Sequence, residues 1–129
     1  MHTPQARWQV RSIDEESRSF VEHVADELDC ELDEAERLAV AVITTLEERL
    51  PLDDLPELEA ELPRRLRELV HASDRILDLP GLEGAAFVGR VAHKLRMTDD
   101  DAARAVDAVF AALRGHLSPR EVRRVHLRL

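Results

Sequence analysis

The 129-residue chain has one cysteine, one tryptophan, three phenylalanines and no tyrosine, and each shortage removes a class of protein. The single Cys30 cannot close an internal disulfide. With no signal-like apolar segment at the N-terminus, the expected setting is the reducing cytoplasm. No apolar run approaches the roughly 20 residues that cross a bilayer, so no membrane partner is expected. With aromatics at 3% of the chain, aliphatic side chains and alanine must fill the core. A formal charge of −9 argues against nonspecific binding to nucleic acid or anionic membrane by the chain as a whole.

That total hides an asymmetry. Residues 1–62 carry 18 acids against 5 bases, or −13, while residues 63–129 carry 9 acids against 13 bases, or +4. The dominant residues, Ala, Leu, Glu and Arg, favour helix, and sheet signals are absent. The length is that of a single domain, large enough to bury roughly two thirds of its unfolded surface.

The organising stretch runs from Ala35 to Leu50, a helix apolar over most of its girth and therefore central. Ala102 to Leu117 matches it without a gap. The match extends to residues 20–62 against 87–129, with 13 identities in 43 pairs, nearly all of core type. Shared helical composition would not hold register across two helix junctions, so the spacing predicts two tandem pseudo-symmetric repeats of an all-α bundle of about seven helices. Repeat one spans 20–62 with an added helix at 63–72, the linker 72–84 follows, and repeat two spans 87–129.

In chain order, residues 1–11 read as a flexible arm. Ser12 with Glu15 and Asp33 with Glu36 have the capping-box form at two helix starts. Phe20, Val21, Val24, Ala25 and Leu28 form the first apolar stripe. Pro51 ends the long helix, Leu55, Leu58 and Leu62 point inward from a short one, and Pro63 opens a fourth with Leu66, Leu69 and Val70. The linker residues Ile76, Leu77, Leu79 and Leu82 are expected on the core. Ser118-Pro119-Arg120-Glu121 is the strongest helix start, and Val122, Val125 and Leu129 echo the short helix of repeat one.

These residues carry a resemblance. Phe20-x-x-x-Val24-Ala25-x-x-Leu28, Ala35, Thr45-Leu46-x-x-Arg49-Leu50, Leu62-Pro63-x-x-Leu66 and the second Phe87-Val88-x-x-Val91-Ala92 resemble the prokaryotic family catalogued as domain of unknown function 2267, over residues 17–129. The resemblance implies a two-repeat helical fold and no activity. It also implies a Leu-Pro and a further helix after the second copy, which the sequence as given does not carry past Leu129.

No chemistry-bearing motif is complete. Glu68 with His71, and His23 with Glu27, are each half of a metal site and lack a second copy. Asp99-Asp100-Asp101 lacks the glycine and terminal glutamate of a calcium loop and suits a helix start. Gly81 and Gly84 have no strand or phosphate-binding lysine beside them, and Ser12, Ser17, Ser19, Ser73 and Ser118 have no nucleophile context. Cys30 reads as a small buried thiol. The basic last helix has no recognition helix after it, so nucleic acid is not an expected partner. The expectation is no enzyme, no cofactor and no metal.

What remains is a non-enzymatic interaction module, set against a carrier or sensor of a small apolar ligand between the repeats and, third, a nucleic-acid-associated regulator. If the second copy lacks the helix that covers the first, an apolar groove beside Val109, Leu113, Val122 and Val125 is expected, rimmed by Arg120, Arg123, Arg124 and Arg128. The expected occupants are the N-terminal arm through Trp8 and Val10, the apolar linker around Ile76 to Leu82, or a second molecule, and the charge favours an acidic protein partner or, through the −13 half of another copy, a homodimer.

Overall fold

The computed structural model describes residues 15–72 and 84–128; at 84–86, 127 and 128 the description is of backbone alone. The expectations placed on the arm, the Ser12 cap and the apolar linker lie outside these residues. Among the described residues seven α-helices form an all-α bundle: α1 (Glu15–Leu28), α2 (Leu32–Arg49), α3 (Leu55–Glu61) after a 3-10 turn at Leu52–Asp54, α4 (Arg64–Ala72), α5 (Gly84–Leu95), α6 (Asp99–His116) and α7 (Pro119–Arg128). Among the described residues there is no strand, and no helix is long and apolar enough to cross a membrane.

The apolar stripes do what their spacing predicts. Phe20, Val21 and Val24 are fully buried on α1, as are Ala35, Val42, Ile43 and Leu46 on α2, and Leu58, Leu66 and Val70 on α3 and α4. Residues from all seven helices join one core cluster. The packing crosses between the halves: α1 lies against α2 and α6, α5 lies against α6 and α2, and the two long helices touch each other. Neither half closes a core without the other.

Element bounds recur at one offset. Leu32 to Asp99 and Arg49 to His116 are both steps of 67 residues, the offset at which the sequence aligns with itself. The turns after α1 and α5 also correspond: Asp29 and Arg96 both adopt left-handed backbone, with φ of 54° and 55°. The amides of Cys30 and Met97 then close on the carbonyls of Ala25 and Ala92 at 3.1 and 3.0 Å, a Schellman-type ending.

One helix start differs from the sequence expectation, and another forms as expected with a partner added from outside. The cap of α2 is Glu31, which makes no side-chain capping bond, and Asp33 already lies inside the first turn. Glu36 is buried and its carboxylate takes the Arg65 guanidinium of α4 at 2.5 Å. A distant cation outcompetes the local amide because it satisfies a carboxylate that packing has removed from water. At α7, Ser118 Oγ does accept from the Glu121 amide at 3.2 Å, but the reciprocal bond is not made by Glu121. Glu61, at the end of α3, accepts from Ser118 N–H at 2.6 Å and from its hydroxyl at 2.9 Å, so α3 caps α7 across the halves.

Candidate functional site

An open, mainly apolar cleft lies between α6 and α7. The C-terminal half of α6 supplies Phe110, Leu113, Arg114 and Leu117, one helical stripe at i, i+3, i+4 and i+7. From α7 come Val122, Val125 and His126, the face left over once the cap at Ser118 has set the helix in place. Phe110 is held from behind by Phe87, the rings 5.7 Å apart and tilted by 58°. Phe110 and Val122 are half-buried, and the exposed Arg114 and His126 put positive or protonatable groups at the mouth. Among the described residues, the cleft offers a hydrophobic floor with a basic edge and no carboxylate.

The residues expected there from sequence divide. Leu113, Val122 and Val125 line the cleft. Val109 is fully buried in the core. Arg120 and Arg123 are exposed on α7 away from the lining. Arg124 turns to α3, where it pairs with Glu57, and the side chain of Arg128 lies outside the described residues. The basic edge comes instead from Arg114 and His126, whose counterparts are Glu47 and Glu59. That reversal of sign at aligned positions was the signal available in the sequence.

A second polar feature joins the halves at the α2–α5 contact. Glu48, with its side chain 3% exposed, takes Arg90 Nε at 3.2 Å and Lys94 Nζ at 3.0 Å, and Lys94 also reaches Thr44 Oγ1 at 3.3 Å. Burial pushes the Lys94 ammonium below its ordinary range, and Glu48 pulls it partly back. The counterparts across α1 and α6 are Gly115, His23, Glu27 and Ala111, which form no such cluster. There His23 and Glu27 are an exposed pair 3.9 Å apart on the surface of α1. One junction is clamped by charge, and at the other Phe20 meets the His116 ring.

The remaining sequence motifs are dispersed. Glu68 faces Arg64 at 3.6 Å and His71 faces Glu59 at 3.9 Å, all on solvated surface except Glu59. No group of three metal-ligating side chains forms among the described residues. Asp99, Asp100 and Asp101 occupy the first turn of α6, where they complement its dipole and Thr98 caps the Asp101 amide at 3.1 Å. Burial, and next the charges of Glu34, Asp29 and Glu31, push the Cys30 thiol up, so it is the reverse of an activated nucleophile.

The family model described as "Uncharacterized conserved protein (DUF2267)" matches residues 17–129. No curated protein matches the chain.

Proposed function

The chain belongs to this DUF2267 family, and within it we propose a non-enzymatic protein-interaction module of the cytoplasm whose docking surface is the α6–α7 cleft. One observation carries the reading: the cleft sets the half-buried Phe110 and Val122 and the floor of Leu113, Leu117 and Val125 beside two basic edge residues. An apolar strip with a charged rim is the anatomy of a protein-binding surface, the floor giving affinity and the rim giving selection. The residues that reactions use support it from the other side: Ser17 and Ser118 serve as caps, and burial, then acidic neighbours, push the Cys30 thiol up. The carrier reading places its ligand between the halves, whereas the cleft belongs to two helices of one half.

The test is photo-cross-linking in the cell with a benzophenone amino acid in place of Phe110, against the same probe at the exposed Asp107. A discrete protein adduct at Phe110, lost when Val122→Glu is added and weak from Asp107, is the expected result. Irradiation that gives no protein adduct from Phe110 overturns the reading.

A further inference from the structure

We infer that the cleft receives an acidic amphipathic helix from a partner protein, laid over the second half as α4 is laid over the first. The inference rests on the cleft being the docking surface. Its floor residues Leu113, Leu117 and Val125 have the counterparts Leu46, Leu50 and Leu58, which are at most 6% exposed. In the first half α4 packs on α1 and α2 and completely buries Leu66 and Val70, four residues apart on one stripe. At its far end His71 comes within 3.9 Å of Glu59. Glu59 is the counterpart of His126, a cleft residue, so the end of α4 lies beside the position that His126 holds in the second half.

The apolar shape is kept between the halves and the charge is reversed. α4 is basic, with Arg64, Arg65, Arg67 and His71, and it lies on the half that carries Glu36, Glu47 and Glu59. The counterparts of those three are Ala103, Arg114 and His126. A helix built like α4 would bring cations to a basic edge, whereas one with aliphatic residues four apart and acids in place of Arg64, Arg67 and His71 would meet complementary charge. Among the described residues, the acidic half of a second copy does not supply such a helix, because Phe20 of α1, Val42 of α2 and Leu58 of α3 are fully buried in its own core.

The probe is a fluorescein-labelled peptide of residues 62–72 carrying Arg64→Glu, Arg67→Glu and His71→Glu, titrated with the full chain and followed by anisotropy. Saturable binding is expected, weakening with salt, and about ten-fold weaker for the unsubstituted basic peptide, the size two exposed charge pairs supply. Leu66→Asp in the peptide should abolish it. So should Val125→Arg in the protein, and, because that nearly buried site can lose the fold, the half-buried Val122→Glu serves as the second variant. No saturable binding, equal affinity for the two peptides, or binding that survives both protein variants overturns the inference. A salt-sensitive homodimer lost in Val122→Glu and not displaced by the acidic peptide also overturns it, while leaving the docking surface standing.

Discussion

Glu57 on α3 and Arg124 on α7 form an ion pair, and the two stand 67 residues apart, the same step that separates Leu32 from Asp99. Each is therefore paired with its own counterpart. Other contacts exchange counterparts: Arg49 lies over the Phe87 ring at 5.7 Å, and Phe20 meets His116 edge-on at 5.1 Å. Contacts of both kinds join residues that the 67-residue sequence alignment relates. Identical residues at the first contact would set like charges together, and the glutamate–arginine difference turns that repulsion into attraction.

Arg124 is also the cation nearest to an acidic group made of Asp54, Glu57, Glu61 and Glu121. Arg124→Glu should lower the thermal midpoint by leaving five carboxylates around α7. Restoring one cation opposite, as Glu57→Arg in the same chain, should recover most of the loss, although Glu57→Arg alone also lowers the midpoint. Additive losses in the double variant would show that the pair is incidental.

Because the first helix of each half packs on the long helix of the other, the fold should have one cooperative transition. Val42 and Val109 are both fully buried, and aspartate at either position brings an unpaired charge into the shared core. Each substitution should cost several kcal/mol, about 3 or more, and unfold both halves together. Two separable transitions in urea, followed by circular dichroism, would refute the shared core.

Glu48 holds two buried cations, so Glu48→Ala should cost about 3 kcal/mol or more at neutral pH by leaving Arg90 and Lys94 side by side. Lys94 gives the deficit a pH signature. Its folded value already lies below the ordinary lysine range because of burial, and losing Glu48 lowers it further. Between that lowered value and the ordinary one the unfolded chain binds the proton more strongly, so stability from this group rises with pH. Denaturant titrations should show the Glu48→Ala deficit shrinking on the alkaline side. A deficit independent of pH would assign the loss to packing.

The cap positions of the long helices offer a matched pair. Thr98 caps α6 through the Asp101 amide, while Glu31, at the same place on α2, makes no side-chain capping bond. Thr98→Ala should cost about 1 kcal/mol, and Glu31→Thr should gain a comparable amount. Chemical denaturation of the two single variants checks both signs. Equal and negligible effects would mean that tertiary contacts alone fix both helix starts.

The helices and their buried stripes were legible in the sequence because local periodicity and core burial act on the same residues. The charged contacts were not. Glu36 reads locally as half of a capping box and nothing local marks Glu48, yet their partners Arg65 and Arg90 lie 29 and 42 residues away. Sequence gives no distance between such groups until helices are packed. The cleft was half legible for a related reason. On a helix apolar over most of its girth, Val109 and Phe110 are equivalent by composition, and only the rotation of α6 puts Val109 in the core and Phe110 at the opening. Arg124 reads as a rim residue because nothing local reveals Glu57 facing it.

Glu121 provides the sharpest pH test. Its side chain is almost fully buried, one carboxylate oxygen is 3.7 Å from Arg124, and the other has no hydrogen-bond partner among the described residues. Burial pushes its carboxyl above the ordinary 4.5; Arg124 opposes this, and Glu61, Glu57 and Asp54 add to it. Below the ordinary value the proton is bound in both folded and unfolded chains, and the group costs nothing. Between the ordinary and the raised value the folded chain holds the proton more strongly, so the stability this group contributes falls as pH rises through that window. Above it, the fold carries a poorly compensated buried anion. Glu121→Gln imitates the protonated form and should raise the thermal midpoint at neutral pH, with the gain vanishing as the pH falls toward the ordinary carboxylate value. Subtracting variant from parent at each pH removes the acid destabilisation contributed by every other carboxylate. A gain of constant size would make the effect one of shape, and a loss at neutral pH would mean that the attraction of Arg124 outweighs the burial.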